Sequence, residues 1–180
     1  ANMPVSNIER AIKKGTGDLP GVTYEDYIYE GYGPGGIAIL IEILTDNKNR
    51  TLPEIRSLMT KNGGNLGESG CVSWIFHKKG IFNINSKLIN EEDILEVFDL
   101  GVEDVLTEEE YYEIITSPEK FSIVSKFFEN KNLSFDGKIS LMPENTVKID
   151  SNLGDKAIKL INILEDHDDV QNVHSNFEIE

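Results

Sequence analysis

Cysteine is nearly absent from this sequence of 180 residues, and long apolar runs are missing altogether. Because Cys71 is the only cysteine, no disulfide can form within the chain, and such a sequence suits a reducing compartment. No apolar run approaches the roughly 18 residues that a membrane-spanning helix needs. The sequence therefore predicts a cytoplasmic protein without a membrane partner.

The sequence patterns of common catalytic and cofactor sites are also missing. There is no G-x-S-x-G motif, no glycine-rich loop ending in Lys-Ser or Lys-Thr, and no D-x-D-x-D-G calcium loop. The one cluster of metal-binding residue types is Asp166-His167-Asp168-Asp169, whose members are consecutive rather than spaced to surround an ion. We interpret this cluster as a solvated helix end, and we expect no metal, no cofactor and no enzymatic activity.

Positive charge is scarce and unevenly distributed. The chain has 17 Lys and Arg against 32 Asp and Glu, which gives a net charge of -15. Residues 1–87 carry 10 basic and 9 acidic residues, whereas residues 88–180 carry 7 and 23. The acidic half is expected to repel nucleic acid and to offer a surface to a basic protein partner. Any phosphate-binding surface must then lie in the first half.

Gly31, Gly33 and Gly36 match the G-x-G-x-x-G pattern of dinucleotide-binding proteins. In those proteins the pattern opens a helix, whose N-terminal amides hold the pyrophosphate. Here residues 37–44 are the apolar run IAILIEIL, which is typical of a buried strand. The sequence thus predicts a tight turn between two strands, in which Pro34 fixes φ and glycines supply positive φ, and no nucleotide site.

Several segments occur in an order typical of one family. They are ANMP at 1–4, NIERAIKKG at 7–15, YEGYGPGG at 29–36, TDNKNRT at 45–51 and GGNLG at 63–67, followed by LINILED at 160–166 and DDVQ at 168–171. On these segments the sequence resembles the YebC family, which includes bacterial transcriptional regulators and a mitochondrial translational activator of cytochrome oxidase. The resemblance implies a preceding helical domain, so we expect residues 1–21 to be its remnant and a linker.

Caps and periodicity predict an α+β protein. Helices are expected at 7–14, from the capping box of Thr51 and Glu54 to Gly63, at 91–100, at 118–131 and at 154–166. Strands are expected near 24–30, 37–45, 71–77, 79–84, 103–107, 111–116, 135–141 and 173–179. We interpret these as two ferredoxin-like antiparallel-sheet units. The second, 85–147, is inserted into the first, which comprises 22–84 and 148–180.

The predicted nucleic-acid surface is the basic island between residues 47 and 79. Lys48 and Arg50 precede a helix N-terminus, whose free amides and dipole favour phosphate. The predicted binding residues are Lys48, Arg50, Arg56, Lys61, Lys78 and Lys79, with Tyr32 as a stacking face. The alternative is a solvated loop whose Asp and Asn residues only cap the helix. Residues 63–70 are interpreted as a helix stop and flexible turn, with close approach to an RNA or protein backbone as the alternative.

The resemblance implies a non-enzymatic regulator of gene expression, with DNA-binding transcriptional regulation as the first expectation. The alternative is a ribosome-associated translation factor that relieves stalling or activates translation, with rRNA or tRNA as its nucleic-acid partner. An enzyme acting on small molecules is a third class, for which the sequence offers no constellation of catalytic residues.

Overall fold

A computed structural model describes residues 22–180, so the expectations for residues 1–21, including the helix at 7–14, lie outside it. The protein is α+β, as the sequence predicted. The helices are α1 Lys48–Lys61, α2 Glu91–Asp99, α3 Phe121–Asn130 and α4 Ser151–Glu165. The strands are β1 Glu25–Tyr32, β2 Ala38–Thr45, β3 Asn65–Leu66, β4 Phe76–Asn85, β5 Asp104–Thr107, β6 Tyr111–Thr116, β7 Phe135–Pro143, β8 Val147–Ile149, β9 Val170–Ser175 and β10 Phe177–Ile179. Within the described range, none of these helices has the length and apolar character that crossing a membrane requires.

The chain forms two compact units, and the second interrupts the first. Unit 1 consists of residues 22–76 and 143–180, and unit 2 is His77–Met142. The boundaries expected from the sequence lay further along the chain, at 84/85 and 147/148. The difference arises because residues 76–85 form one continuous strand that belongs to the sheet of unit 2.

Unit 1 buries one face of a four-stranded sheet with the strand order β3-β1-β2-β9. Side chains alternate between the faces of a strand, so Ile39, Ile41 and Ile43 of β2 all lie in the same core. Ile55 of α1 and Leu160 of α4 cover them from the helix side. Because each buried Ile or Leu stabilises the fold by about 2 kcal/mol, this core fixes both helices on the sheet.

The last strand of unit 1 is interrupted, although the sequence predicted one strand over 173–179. The side chain of Asn176 accepts a hydrogen bond from the backbone N–H of Ala38 at 2.8 Å, and its carbonyl accepts one from Val147 at 2.7 Å. The chain therefore leaves the main sheet after β9, and β10 pairs in parallel with β8.

Unit 2 has the chain order β4-α2-β5-β6-α3-β7 and the strand order β5-β6-β4-β7. This is the β-α-β-β-α-β arrangement of ferredoxin-like folds. The core contains a cluster of aromatic rings, in which Phe82 stacks on Phe121 at 4.7 Å and meets Phe128 edge-on at 5.5 Å. Unit 1 differs in chain order, because a β-hairpin of β1 and β2 precedes its first helix.

Helix α1 begins one turn earlier than the capping box of Thr51 and Glu54 predicted. Asn47 is the N-cap, and its side chain accepts a hydrogen bond from the backbone N–H of Arg50 at 3.2 Å. Thr51 lies inside the helix and is buried, so its hydroxyl serves the interior rather than the helix end. The strand predicted at 71–77 is replaced by a loop and a 3₁₀ turn at Ser73–Ile75.

The glycine pattern after β1 forms the predicted turn between two strands. Residues Pro34–Gly36 make a 3₁₀ turn, Gly35 and Gly36 have φ of 78° and 77°, and strand β2 follows. A strand and not a helix follows these glycines, so the glycine turn that opens a helix in dinucleotide-binding folds is not formed here. Gly31 has a different role, because β3 crosses very close to it.

We predict that Gly31→Ala destabilises the protein by about 2 kcal/mol, since the added Cβ would lie 2.3 Å from the carbonyl oxygen of Asn65. Urea unfolding measures the loss. The control is Asp26→Ala on the exposed part of the same strand, which should change stability by less than about 0.5 kcal/mol. Equal stability of the two variants would contradict the close approach of β3.

Candidate nucleic-acid interface

Helix α1 carries four of the predicted basic residues but directs them to different sides. Lys48, Leu52 and Arg56 are four residues apart and therefore lie along one side of the helix. They line a cavity of about 360 Å³, which we call the basic groove. Its other walls are residues 27–30 of β1 and the segment Leu66, Gly67 and Ser69.

The basic groove combines cations with an aromatic ring. Lys48 and Arg56 are both exposed. The Lys48 ammonium lies 5.1 Å from the centre of the Tyr27 ring, at a distance where a cation and a ring attract each other. Two exposed cations beside an aromatic ring can bind phosphates of a nucleic-acid backbone without reading its sequence.

Arg50 is on the other side of α1 and is engaged by carboxylates. Its Nη2 donates to Oδ2 of Asp169 at 2.9 Å and to Oδ1 of Asp46 at 3.2 Å. The hydrogen bond with Asp169 is the main cause that raises the pKa of Arg50 above its ordinary value. The structure therefore separates Arg50 from Lys48 and Arg56, with which the sequence grouped it.

Asp169 is the functional group that sequence reasoning assigned to a solvated helix end, and this assignment was wrong. Its residue is only 3% exposed. Besides Arg50, its Oδ2 accepts hydrogen bonds from Thr51 Oγ1 at 2.7 Å and Thr45 Oγ1 at 3.3 Å. Thr45, Arg50 and Thr51 all donate to this one carboxylate. Sequence analysis could find this arrangement only by knowing that β9 adjoins β2.

The remaining members of the 166–169 cluster lie around a second cavity, of about 630 Å³, which we call the acidic cavity. Five carboxylates line it together with Arg50, His167 and Tyr24. His167 Nε2 lies 2.7 Å from Glu54 Oε2, and its Nδ1 accepts a hydrogen bond from the backbone N–H of Asp169 at 3.1 Å. Among residues 22–180, no three His, Cys, Asp or Glu side chains are arranged to hold a metal ion. A surface of this charge repels phosphates, so Arg50 is poorly placed to bind them.

The other predicted binding residues have separate locations. Lys61 is exposed in the last turn of α1. Lys78 and Lys79 belong to unit 2, where Lys79 forms a 2.6 Å ion pair with Glu103. Tyr32 is at the end of β1 on the sheet face opposite to Tyr27, and it is 37% exposed.

The glycine-rich segment is held in place by a buried carboxylate. Glu30 is 5% exposed and accepts hydrogen bonds from the backbone N–H groups of Gly70, Val72 and Ser73, with 3.0 Å for Val72. Burial raises the pKa of Glu30, but the three backbone donors together outweigh it, so the pKa lies below its ordinary value. Gly70, at the end of the segment that was interpreted as a flexible turn, is therefore bonded to β1 through Glu30.

These features define a class of protein: an α+β chain of two units, with a basic groove and an acidic cavity on the two sides of one helix. The family model described as "TACO1/YebC second and third domain" matches residues 24–177. The chain belongs to this family.

Similar proteins agree with this assignment. A probable transcriptional regulatory protein of Syntrophomonas wolfei is 53% identical over 99% of this chain and 73% of its own length. Another probable transcriptional regulatory protein, from Halothermothrix orenii, is 51% identical over 99% of this chain and 72% of its own. The crystal structure of a conserved hypothetical protein from Aquifex aeolicus has a TM-score of 0.78 at 47% identity, covering 98% of this chain and 74% of that one.

We predict that Glu30→Gln destabilises the protein by about 2 kcal/mol at neutral pH, because a neutral amide replaces the charged acceptor of three backbone donors. The depressed pKa of Glu30 means that this stabilisation is complete above the ordinary carboxyl pKa of about 4.3 and is lost as pH falls through the lower folded-state pKa. The difference in unfolding free energy between the two proteins should therefore shrink in acid. If the difference in unfolding free energy did not change with pH, the charge of Glu30 would not be what stabilises the turn.

We predict that Arg50→Ala lowers stability by about 2 kcal/mol in urea unfolding, because it removes the 2.9 Å ion pair with the buried Asp169 carboxylate. This loss is smaller than for a fully buried ion pair, since the Arg50 side chain is itself 45% exposed. Lys48→Ala, on the same helix turn but on the groove side, is the matched control and should change stability by less than about 0.5 kcal/mol. Equal stability losses in the two variants would mean that the ion pair of Arg50 with Asp169 does not stabilise the fold.

Proposed function

We propose that this protein is a non-enzymatic regulator of gene expression that binds nucleic acid through the basic groove. The observation that carries the proposal is the placement of Lys48 and Arg56, two exposed cations on one side of α1, beside Tyr27. Phosphate contacts of this kind supply affinity and position, whereas base contacts supply specificity. The relatives named probable transcriptional regulatory proteins support a role in gene expression.

Transcriptional regulation on duplex DNA is the first form of this proposal, because it follows the names of the relatives. The electrostatic contribution to the affinity for duplex DNA would be small, since few cations of the chain are available to contact phosphates. Arg50 and Lys79 are paired with carboxylates, and the net charge is -15. We therefore expect the protein of residues 1–180 to bind duplex DNA weakly and with a shallow dependence on salt, because the steepness of that dependence grows with the number of phosphates contacted.

The second form is a translation factor that acts on the ribosome, where rRNA or tRNA offers phosphates together with unpaired bases. The same shortage of cations supports it, because a small basic groove fits a defined RNA site better than a long duplex. We also expect a basic protein surface to contact unit 2, where residues 88–113 contain 11 acidic residues and no basic one. Oppositely charged surfaces of this kind speed association and select partners.

Replacing Lys48 and Arg56 together with alanine should weaken binding to DNA or ribosomes. Each lost phosphate contact should lower the slope of log affinity against log salt by about one. Stability should change little, because exposed charges contribute little to folding. Binding is measured by mobility shift for duplex DNA and by co-sedimentation for ribosomes, each at several salt concentrations.

The matched control is the double change of Lys156 and Lys159, two exposed cations on α4 that lie outside the groove. It removes the same charge and should leave the salt slope unchanged. If both double variants lose affinity equally, the effect is one of net charge and the basic groove is not the binding site. Retention on ribosomes without duplex binding would select the translation form.

A further inference from the structure

Trp74 is the only tryptophan of the chain and lies on the protein surface. It occupies the 3₁₀ turn Ser73–Ile75, and 63% of it is exposed. An indole ring usually has its apolar faces covered, so such exposure in an ordered turn marks a contact surface. The basic groove does not include this residue.

A second exposed ring lies beside it. The indole N–H of Trp74 donates to the carbonyl oxygen of Cys71 at 3.1 Å, and the hydroxyl of Tyr32 is 3.4 Å from the same oxygen. One acceptor thus holds the polar edges of both side chains. What Trp74 and Tyr32 present to solvent is their ring surface, and we call this pair the aromatic platform.

The 3₁₀ turn that carries Trp74 is held in place by hydrogen bonds to Glu30. The Glu30 carboxylate binds the backbone N–H groups of Val72 and Ser73, which directly precede Trp74. Val72 is fully buried, and the N–H of Ile75 donates to its carbonyl at 3.0 Å. Side chains that are already fixed lose little entropy when a ligand stacks on them.

We infer that Tyr32 and Trp74 form a stacking site for unpaired bases of single-stranded nucleic acid. This inference rests on the proposed function and names the form of nucleic acid that the protein binds. Base–aromatic stacking is tolerant of sequence because every base has a π face. That fits a platform whose N–H is already used within the protein and is not available to select a base by hydrogen bonding.

Position and charge favour a nucleic acid over a protein as the occupant. Glu30 both lines the basic groove and holds the turn of Trp74, so groove and platform adjoin the same strand, β1. A strand crossing the edge of β1 would have its phosphates near Lys48 and Arg56 and a base on the platform. Grooves that track the backbone with cations beside stacking rings are the common design of single-strand binders.

The fluorescence of Trp74 tests the inference directly, because no other tryptophan contributes to it. Titration with single-stranded oligo(U) RNA or oligo(dT) DNA should quench it in a saturable way, and a duplex of the same length should not. Comparing the RNA with the DNA strand distinguishes the two sources of unpaired bases. Equal quenching by the duplex would overturn the assignment to unpaired bases.

Trp74→Ala should weaken single-strand binding about tenfold or more, measured by anisotropy of a labelled oligonucleotide. The salt slope should stay the same, because no charge is removed. Trp74→Phe should retain most of the affinity. Leu95→Ala is the matched control: Leu95 is 65% exposed in unit 2, so this change removes a similarly exposed apolar side chain and should leave binding unchanged.

The outcomes separate this inference from the proposed function. If single strands bind with a salt slope that depends on Lys48 and Arg56 while Trp74→Ala binds as the wild type does, only the platform is wrong. If neither nucleic acid nor ribosomes bind at all, both proposals fail. If Trp74 responds to ribosomal proteins freed of RNA and not to RNA, the surface is a protein interface and the inference is overturned.

Discussion

The buried carboxylate of Asp169 sets the geometry on which the rest of unit 1 depends. It lies next to β9 and accepts hydrogen bonds from Thr45 at the end of β2 and from Arg50 and Thr51 at the start of α1. A charged group buried without such donors would cost several kcal/mol, so these elements cannot shift independently. Helix α1 is therefore fixed in rotation as well as position. Its period of 3.6 residues then directs Arg50 to the acidic cavity and Lys48 to the basic groove.

Glu30, on the opposite face of the sheet, is a second buried carboxylate that is stabilised by hydrogen-bond donors. Successive side chains of β1 point to alternate faces, so Tyr27 lies on one face of the sheet and Glu30 and Tyr32 lie on the other, while the basic groove is lined by both Tyr27 and Glu30. The carboxylate of Glu30 replaces lost hydration with three backbone N–H groups and thereby orders a glycine-containing turn. Two buried carboxylates, Asp169 and Glu30, thus position the surface features of unit 1, and each accepts hydrogen bonds from several donors.

The sequence predicted what depends on local pattern and failed where distant segments meet. Apolar periodicity gave the α+β class, and the β-rich run after Gly36 correctly excluded a helix at the glycine motif. The sequence analysis grouped Arg50 with Lys48 because they are close together in the chain. In the structure Arg50 is bonded to Asp169, which is 119 residues away. Trp74 was overlooked because an exposed ring and a core ring look the same in sequence. The 63% exposure of Trp74 in the structure distinguishes it from a core ring.

A net charge of -15 does not prevent such a protein from binding phosphates, provided that its charges are sorted in space. At physiological ionic strength exposed charges are screened beyond about 8 Å, so a phosphate in the groove responds mainly to the nearest cations. Asp46, Asp169 and Glu54 are in contact with Arg50 or His167 on the Arg50 side of α1. Glu30, which lines the groove, is bonded to three backbone N–H groups. Pairing Arg50 with Asp169 therefore has two effects. It removes one cation from the phosphate-binding surface, and it neutralises one carboxylate that would otherwise repel phosphates. In the proposed function the cations supply contacts with phosphates, and the rings next to β1 supply a preference for single strands over duplex, since only unpaired bases can stack on them.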